Sequence, residues 1–195
     1  MYKKLYSQIT DSLVREGYIV IENALSSALS ASLLSFARDE KGFRDAGISS
    51  GSYLDKNRRG DKILWMDEDG GVQSKFLDFA NGLKEHLNRE LYIGISYYES
   101  HFAIYDRGDF YEKHLDSFKG SKNRVVTTVY YLNEEWSRND GGELIIYDMD
   151  GKKLKEVTPK ADVLVVFLSD KFPHEVLKSE KKRYSIAGWF RIDKI

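Results

Sequence analysis

Four histidines are the scarce reactive groups of this chain: His86, His101, His114 and His174. His114 is set apart by Asp116, which follows it in YEKHLDSF. On an extended backbone, residues i and i+2 project to the same side, so this imidazole and carboxylate converge on one point. His174 lies in SDKFPHEV, directly after the apolar run ADVLVVFL, and Arg183 stands nine residues further on in KKRYSIAGWF. Two histidines and one carboxylate take one face of an octahedral ion and leave the other positions open, the pattern of non-haem Fe(II) sites. The same donor set also describes catalytic zinc with a bound water. A buried arginine beside such an ion suits a dicarboxylic cosubstrate, which it holds through two parallel hydrogen bonds. His86, among charged neighbours on a helical stretch, reads as a surface or structural group, and so does His101 at a strand start.

The elements that must position these groups fall into two halves. Leu5, Ile9 and Leu13 recur at four-residue steps with Tyr2 and Tyr6 beside them, which predicts a first helix ended by Gly17. Tyr18 to Ile21 is a short apolar run suited to a buried strand. Ser26 or Ser27 caps a second helix whose stripe is Leu29, Leu33, Phe36 and Ala37. Lys41 to Lys62 is rich in Gly, Ser, Asp and Arg and reads as a long loop of the kind used as a lid. A third helix carries Phe76, Phe79, Ala80, Leu83 and Leu87 on one face. Beyond Arg89 the texture is β, with strands predicted at Tyr92–Tyr98, Phe102–Tyr105, Val125–Leu132, Glu143–Tyr147, Val163–Leu168 and Tyr184–Arg191. Helices first and closely spaced strands later give an α+β class, a sheet pair or barrel packed on N-terminal helices.

Composition narrows the function classes. At 195 residues the length prior is one domain, and no internal repeat or low-complexity linker divides it. Thirty basic against thirty-one acidic residues leave no excess charge to grip a phosphate backbone, so no nucleic-acid partner is expected. The absence of cysteine excludes disulfides, thiolate metal sites and a cysteine nucleophile. No apolar run approaches the ~20 residues of a membrane helix, and MYKKLYSQIT lacks a signal peptide's apolar segment. A cytoplasmic chain with no membrane partner is expected.

Five segments in order resemble one family. RRGDKILW, VTTVYYLNEEW, GGELIIY, SDKFPHEV and RYSIAGWF, read with the His-x-Asp motif, are similar to the Fe(II)/2-oxoglutarate-dependent oxygenases. Within these they resemble the prolyl hydroxylase branch, the hypoxia-inducible-factor prolyl hydroxylases and their bacterial relatives. The resemblance covers roughly residues 58–191. It implies a double-stranded β-helix, a jelly roll over 91–195, packed against residues 1–90, which are mainly helical and include the lid loop. All of this would be one dioxygenase domain spanning 1–195. It implies Fe(II), 2-oxoglutarate and O2, with ascorbate as a reductant. His114, Asp116 and His174 match the iron ligands. Arg183 matches the clamp on the distal carboxylate of 2-oxoglutarate, Tyr131 a tyrosine bonded to that carboxylate, and Tyr105 another tyrosine near the cosubstrate. Tyr105 lies one residue closer to His-x-Asp than the family pattern. Ala187 stands where relatives carry a threonine. Asp61 and Arg124 resemble a charged pair beside the substrate groove, and Trp189 a tryptophan close to the substrate proline. The loop at Lys41–Lys62 resembles the segment that closes over substrate.

The expected activity is hydroxylation of a C–H bond, with a prolyl residue of a protein as substrate and a monomer as the acting species. Alternatives are hydroxylation of free proline or another small amino acid, then of a nucleobase. A zinc hydrolase built on two histidines and a carboxylate leaves Arg183 and the tyrosines without a role. A jelly-roll binding module without chemistry would be favoured by a substituted ligand position, and none is substituted.

Overall fold

The computed structural model describes residues 2–47, 58–67, 70–117 and 123–193. Residues 48–57, the middle of the expected lid at Lys41–Lys62, lie outside them. α1 (Lys3–Arg15) buries Ile9 and Leu13, and the N–H of Gly17, which has φ +80°, closes the end on Ser12 O at 3.1 Å. β1 (Tyr18–Ile21) follows. α2 (Ser27–Asp39) starts at Ser26, whose Oγ accepts the N–H of Leu29 at 3.1 Å. β2 (Arg44–Asp45), inside the stretch expected to be loop, and β3 (Lys62–Trp65), which starts at its last residue, form a short antiparallel pair. α3 (Gly71–Leu91) runs through the stripe Phe76, Phe79, Ala80, Leu83 and Leu87. Its end overturns the expected strand at Tyr92–Tyr98. Tyr92 turns left-handed at φ 54°, and the Asn88 side chain both accepts from Ile95 N–H (2.7 Å) and donates to Ile95 O (2.8 Å). That clasp delays the strand to β4 (Tyr97–Tyr105), which is continuous through Phe102–Tyr105.

The remaining strands are β5 (Tyr111–His114), β6 (Arg124–Tyr131), β7 (Leu144–Tyr147), β8 (Lys153–Val157), β9 (Leu164–Leu168), β10 (His174–Val176) and β11 (Arg183–Arg191). They make two antiparallel sheets. One has the order β1-β9-β6-β11-β4-β3-β2, the other β5-β10-β7-β8. The class is α+β as expected, with three helices on the larger sheet. No described helix is long and apolar enough to cross a membrane.

Side chains alternate across the larger sheet and so divide the interior in two. Phe102, Val126, Tyr130, Val166, Ile186 and Phe190 face the helices, where they join Ile9, Leu33, Phe76 and Leu83. Ala103, Tyr105, Val129, Tyr131, Val165 and Phe167 face the smaller sheet and meet Ile146 and Val176. Burial on both faces is why these strands read as continuous apolar runs.

On the helix side, Gly188 of β11 lies under Tyr98, whose hydroxyl hydrogen-bonds Thr128 Oγ1 at 2.7 Å. A Cβ there would overlap the phenol. Gly188→Ala should therefore lower stability by about 1–3 kcal/mol, the scale of overpacking in a core. Urea unfolding measures this. An unchanged midpoint would mean that the phenol shifts freely.

Candidate active site

The two sheets bring His114, Asp116 and His174 together. His114 is the last residue of β5 and His174 the first of β10, and the two are direct cross-strand partners. Asp116 lies just past β5, where Thr127 Oγ1 of β6 donates to its Oδ2 at 2.8 Å. Thr127 is itself 2.8 Å from Ser169 Oγ, so the carboxylate is held from behind. Each imidazole Nδ1 lies against a backbone carbonyl, His114 on Glu112 O (2.8 Å) and His174 on Phe172 O (3.0 Å). A carbonyl can only accept, so each Nδ1 carries a proton and each ring turns Nε2, its ligand atom, toward the cluster. Those Nε2 atoms stand 3.6 Å from Asp116 Oδ1 and Oδ2 respectively, and the three ligand atoms all lie within 4.8 Å of one another. That spacing fits one small divalent ion.

Packing fixes both rings. Tyr111 stacks on His114 at 3.7 Å between centroids, and Phe167 meets the edge of His174 at 4.8 Å. Burial, and then the nearby His114, pull His174 down to about 4, so it is neutral and ready to ligate near neutral pH. Burial pushes the Asp116 carboxyl up, but His174, His114 and Thr127 outweigh it and hold the group well below the usual carboxylate range.

Arg183 opens β11 on the same face and is 1% exposed. Its Nη1 donates to Ser185 Oγ at 3.2 Å, while Nε and Nη2 have no hydrogen-bond partner among the described residues. The rings of Tyr105 and Tyr131 flank it at 4.8 and 5.0 Å. The Tyr131 hydroxyl is also buried with no hydrogen-bond partner among the described residues, and burial raises its pKa to about 12, so it stays protonated as a donor. Two donors of the buried guanidinium and one phenol beside it are thus unpaired, and no acidic side chain among the described residues forms an ion pair with Arg183, an arrangement that calls for a carboxylate ligand. Gly142, at φ +69°, leaves room for the arginine: a Cβ would sit 2.9 Å from Arg183 Cδ. This gives the Gly-Gly of GGELIIY a physical purpose.

The histidine cluster and Arg183 line one cavity of about 520 Å³, which also reaches Asp61, Arg124, Trp189 and Ala187. The structure corrects the expected pairing of Asp61 with Arg124. Asp61 is gripped by its neighbour Arg59, at 2.5 and 2.9 Å from Nε and Nη2. Arg124 instead bonds Glu99 at 3.0 Å and lies 3.8 Å over the Trp189 ring. Arg191 binds the second oxygen of Glu99 at 2.7 Å. Asp61 is thus taken by a residue two positions away and Arg124 by one on β4, which the motif did not suggest. His101, structural by its sequence context, lines the cavity between Trp65 and Trp189. Its strand carries a usable signal, because Glu99, His101, Ala103 and Tyr105 share one face by alternation. His86 is buried between Tyr6 and Arg89 at the α1–α3 contact, away from the cavity.

Comparison with known proteins agrees with this geometry. The model of the 2OG-Fe(II) oxygenase superfamily matches residues 100–191. Egl nine homolog 1 of Homo sapiens is 32% identical over 151 residues, 73% of this chain and 35% of that protein. A hypoxia-inducible factor prolyl hydroxylase of Caenorhabditis elegans is 31% identical over 145 residues, 69% of this chain and 20% of that one. The chain thus spans about a third or less of these curated relatives. A Pseudomonas putida prolyl-4-hydroxylase structure superposes with TM-score 0.88 at 34% identity, covering 97% of this chain and all of that one (100%). A Trichoplax adhaerens prolyl hydroxylase, solved with a hypoxia inducible factor peptide fragment, gives 0.86 at 29%, covering 96% and 89%.

The buried histidines make the metal-free protein sensitive to acid. His101 and His174 are both lowered from 6.5 to about 4, so between those values the unfolded chain binds protons that the folded chain refuses. Stability should therefore fall as pH drops from about 6.5 toward 4, with the loss from Asp116 setting in at still lower pH. Urea midpoints at about pH 7.5 and about pH 4.5 test this. Equal midpoints would mean that both rings take up protons in place.

Proposed function

The chain belongs to the 2OG-Fe(II) oxygenase superfamily, in its prolyl hydroxylase branch, and on that footing we propose that it hydroxylates a prolyl residue within a protein or peptide. Membership implies Fe(II), 2-oxoglutarate and O2. The observation that carries the reading is one cavity holding both a His-Asp-His cluster and a buried arginine with no acidic partner among the described residues.

His114, Asp116 and His174 would hold the ion through two Nε2 atoms and a carboxylate oxygen. Arg183 would take the distal carboxylate of 2-oxoglutarate through Nε and Nη2, the fork edge that has no other partner among the described residues. The Tyr131 hydroxyl adds a third hydrogen bond, and the Tyr105 ring walls the other side of the guanidinium. Bound there, Fe(II) with 2-oxoglutarate and O2 supplies the oxygen-insertion chemistry, releasing succinate and CO2. The protein orients, keeps its phenols protonated and excludes water with Val129, Leu144 and Val176. A zinc hydrolase would leave Nε, Nη2 and the Tyr131 hydroxyl unused.

Finer features of the reading rest on the relatives. The two antiparallel sheets suit a double-stranded β-helix, a jelly roll, with residues 1–195 as one domain. Asp61, Arg124 and Trp189 border the part of the cavity left for substrate. The Trichoplax adhaerens complex with a peptide supports a peptide substrate over free proline. From the sequence resemblance alone, the same reading takes a cytoplasmic monomer as the acting species and ascorbate as a reductant.

Replacing His114, Asp116 or His174 by Ala should abolish most Fe(II) affinity, because two remaining protein donors hold a labile divalent ion poorly. A titration curve unchanged in all three variants would refute the ligand set. Arg183→Lys keeps the charge but loses the fork, so 2-oxoglutarate binding should weaken by about 1–3 kcal/mol while Fe(II) binding persists. Normal cosubstrate affinity in that variant would make the arginine structural. For the activity itself, proteome-wide mass spectrometry of strains with and without the enzyme should show prolines that carry an added oxygen only when it is present. Modified residues of another type would reassign the substrate.

A further inference from the structure

Beyond the histidine cluster, the wall of the cavity carries a second organised group. His101 on β4 faces Trp65 on β3 as a direct cross-strand partner, with rings 5.1 Å apart at 85°. On its other side Trp189 of β11 stands 5.4 Å away at 54°. The imidazole is 2% exposed and Trp189 7%, whereas Trp65 is 51% exposed. Arg124, tied to Glu99, covers Trp189 at 3.8 Å. The three rings therefore run from the protein surface into the cavity as a fixed aromatic wall, a good surface for a proline ring and its neighbours.

Two polar atoms on this wall have definite roles. His101 Nδ1 lies 3.2 Å from Phe102 O, which makes it the donor and leaves Nε2 as the acceptor. Burial, and then the charge of Arg59, hold the ring neutral, with a pKa lowered to about 4. The indole Nε1–H of Trp189 is buried with no hydrogen-bond partner among the described residues, a condition that is unfavourable unless a ligand supplies an acceptor. One neutral acceptor and one neutral donor side by side match the N–H and C=O of a peptide main chain.

We propose that His101 and Trp189 read the main chain beside the target proline, with imidazole Nε2 accepting a peptide N–H and indole Nε1–H donating to a peptide carbonyl. The assignment rests on the prolyl-peptide reading above and deepens it. Proline has no N–H of its own, so the donor belongs to a flanking residue. Free proline brings instead a charged ammonium, and the acids nearest this wall are already engaged. Asp61 is held by Arg59, and Glu99 by Arg124 and Arg191. His101 is thus a specificity-determining residue that selects peptides over free amino acids.

The test uses full-length enzyme with Fe(II), 2-oxoglutarate and capped pentapeptides, Ac-Ala-Xaa-Pro-Yaa-Ala-amide, in which Xaa and Yaa vary. For the best peptide, two esters are made that replace the N–H of Xaa or of Yaa by oxygen. One ester should lose about tenfold or more in kcat/KM with the wild-type enzyme, chiefly through KM, a factor worth about 1.4 kcal/mol. His101→Phe keeps a ring between the tryptophans but no acceptor, and it should use amide and ester within about twofold of each other. His101→Gln retains an acceptor and should keep a preference for the amide. Wild-type enzyme that uses both esters as well as the amide, or a His101→Phe variant with undiminished preference, overturns the assignment while the prolyl-peptide reading stands. Hydroxylation of no library peptide overturns that reading and this assignment together.

Discussion

Arg183 carries a full positive charge at 1% exposure, and its one hydrogen bond among the described residues runs to a serine hydroxyl. Burying a charge without a counterion costs several kcal/mol, a penalty that two tyrosine ring faces offset only in part. The fold tolerates it because the arginine has no room to leave. It begins β11, which is hydrogen-bonded on one side to β4 along its whole length and on the other to β6. Gly142 closes over its aliphatic stem. An arginine locked in this way selects a carboxylate ligand by charge and by direction, and the family to which the chain belongs uses such a cosubstrate.

The rest of the site follows from alternation along the same sheet. Once Arg183 faces the smaller sheet, Ser185, Ala187 and Trp189 must face it too, and β4 presents Glu99, His101, Ala103 and Tyr105 beside them. The cavity therefore grades from arginine and phenols at one end to indoles and paired charges at the other. Between the ends, β5 and β10 set the two histidines opposite each other, and β6 supplies Thr127 to hold the carboxylate. The helices contribute no described group to this cavity. They bury the opposite face of the larger sheet and so keep its strands in register.

What can be read in the sequence follows the same physics. The helices are legible because Leu5, Ile9 and Leu13 or Phe76, Leu83 and Leu87 repeat at helical spacing. The cluster of His114, Asp116 and His174 is legible because histidine is scarce here, and Arg183 because its motif is specific. β8 escapes notice because it is a lysine-rich edge strand whose residues up to Glu156 face solvent, which looks like loop. β3, β5 and β10 are too short to show a period, although they carry Trp65, His114 and His174. The partner of Arg124 is not legible because an ion pair depends on which strands lie close together, and sequence order does not reveal that β6 and β4 flank β11; Asp61 is taken by Arg59, only two residues away. His101 has no nearby partner in a motif; its partners come from neighbouring strands.

The central claim is that the histidine cluster and Arg183 serve one ligand pair in one cavity. Anaerobic addition of 2-oxoglutarate to the Fe(II)-loaded protein tests it directly, read as the visible charge-transfer absorption that arises when a 2-oxo acid chelates ferrous iron. The band should appear only with both components present and saturate at about one equivalent of each, as one shared site requires. Tight binding of both ligands without the band would place them apart and contradict the account.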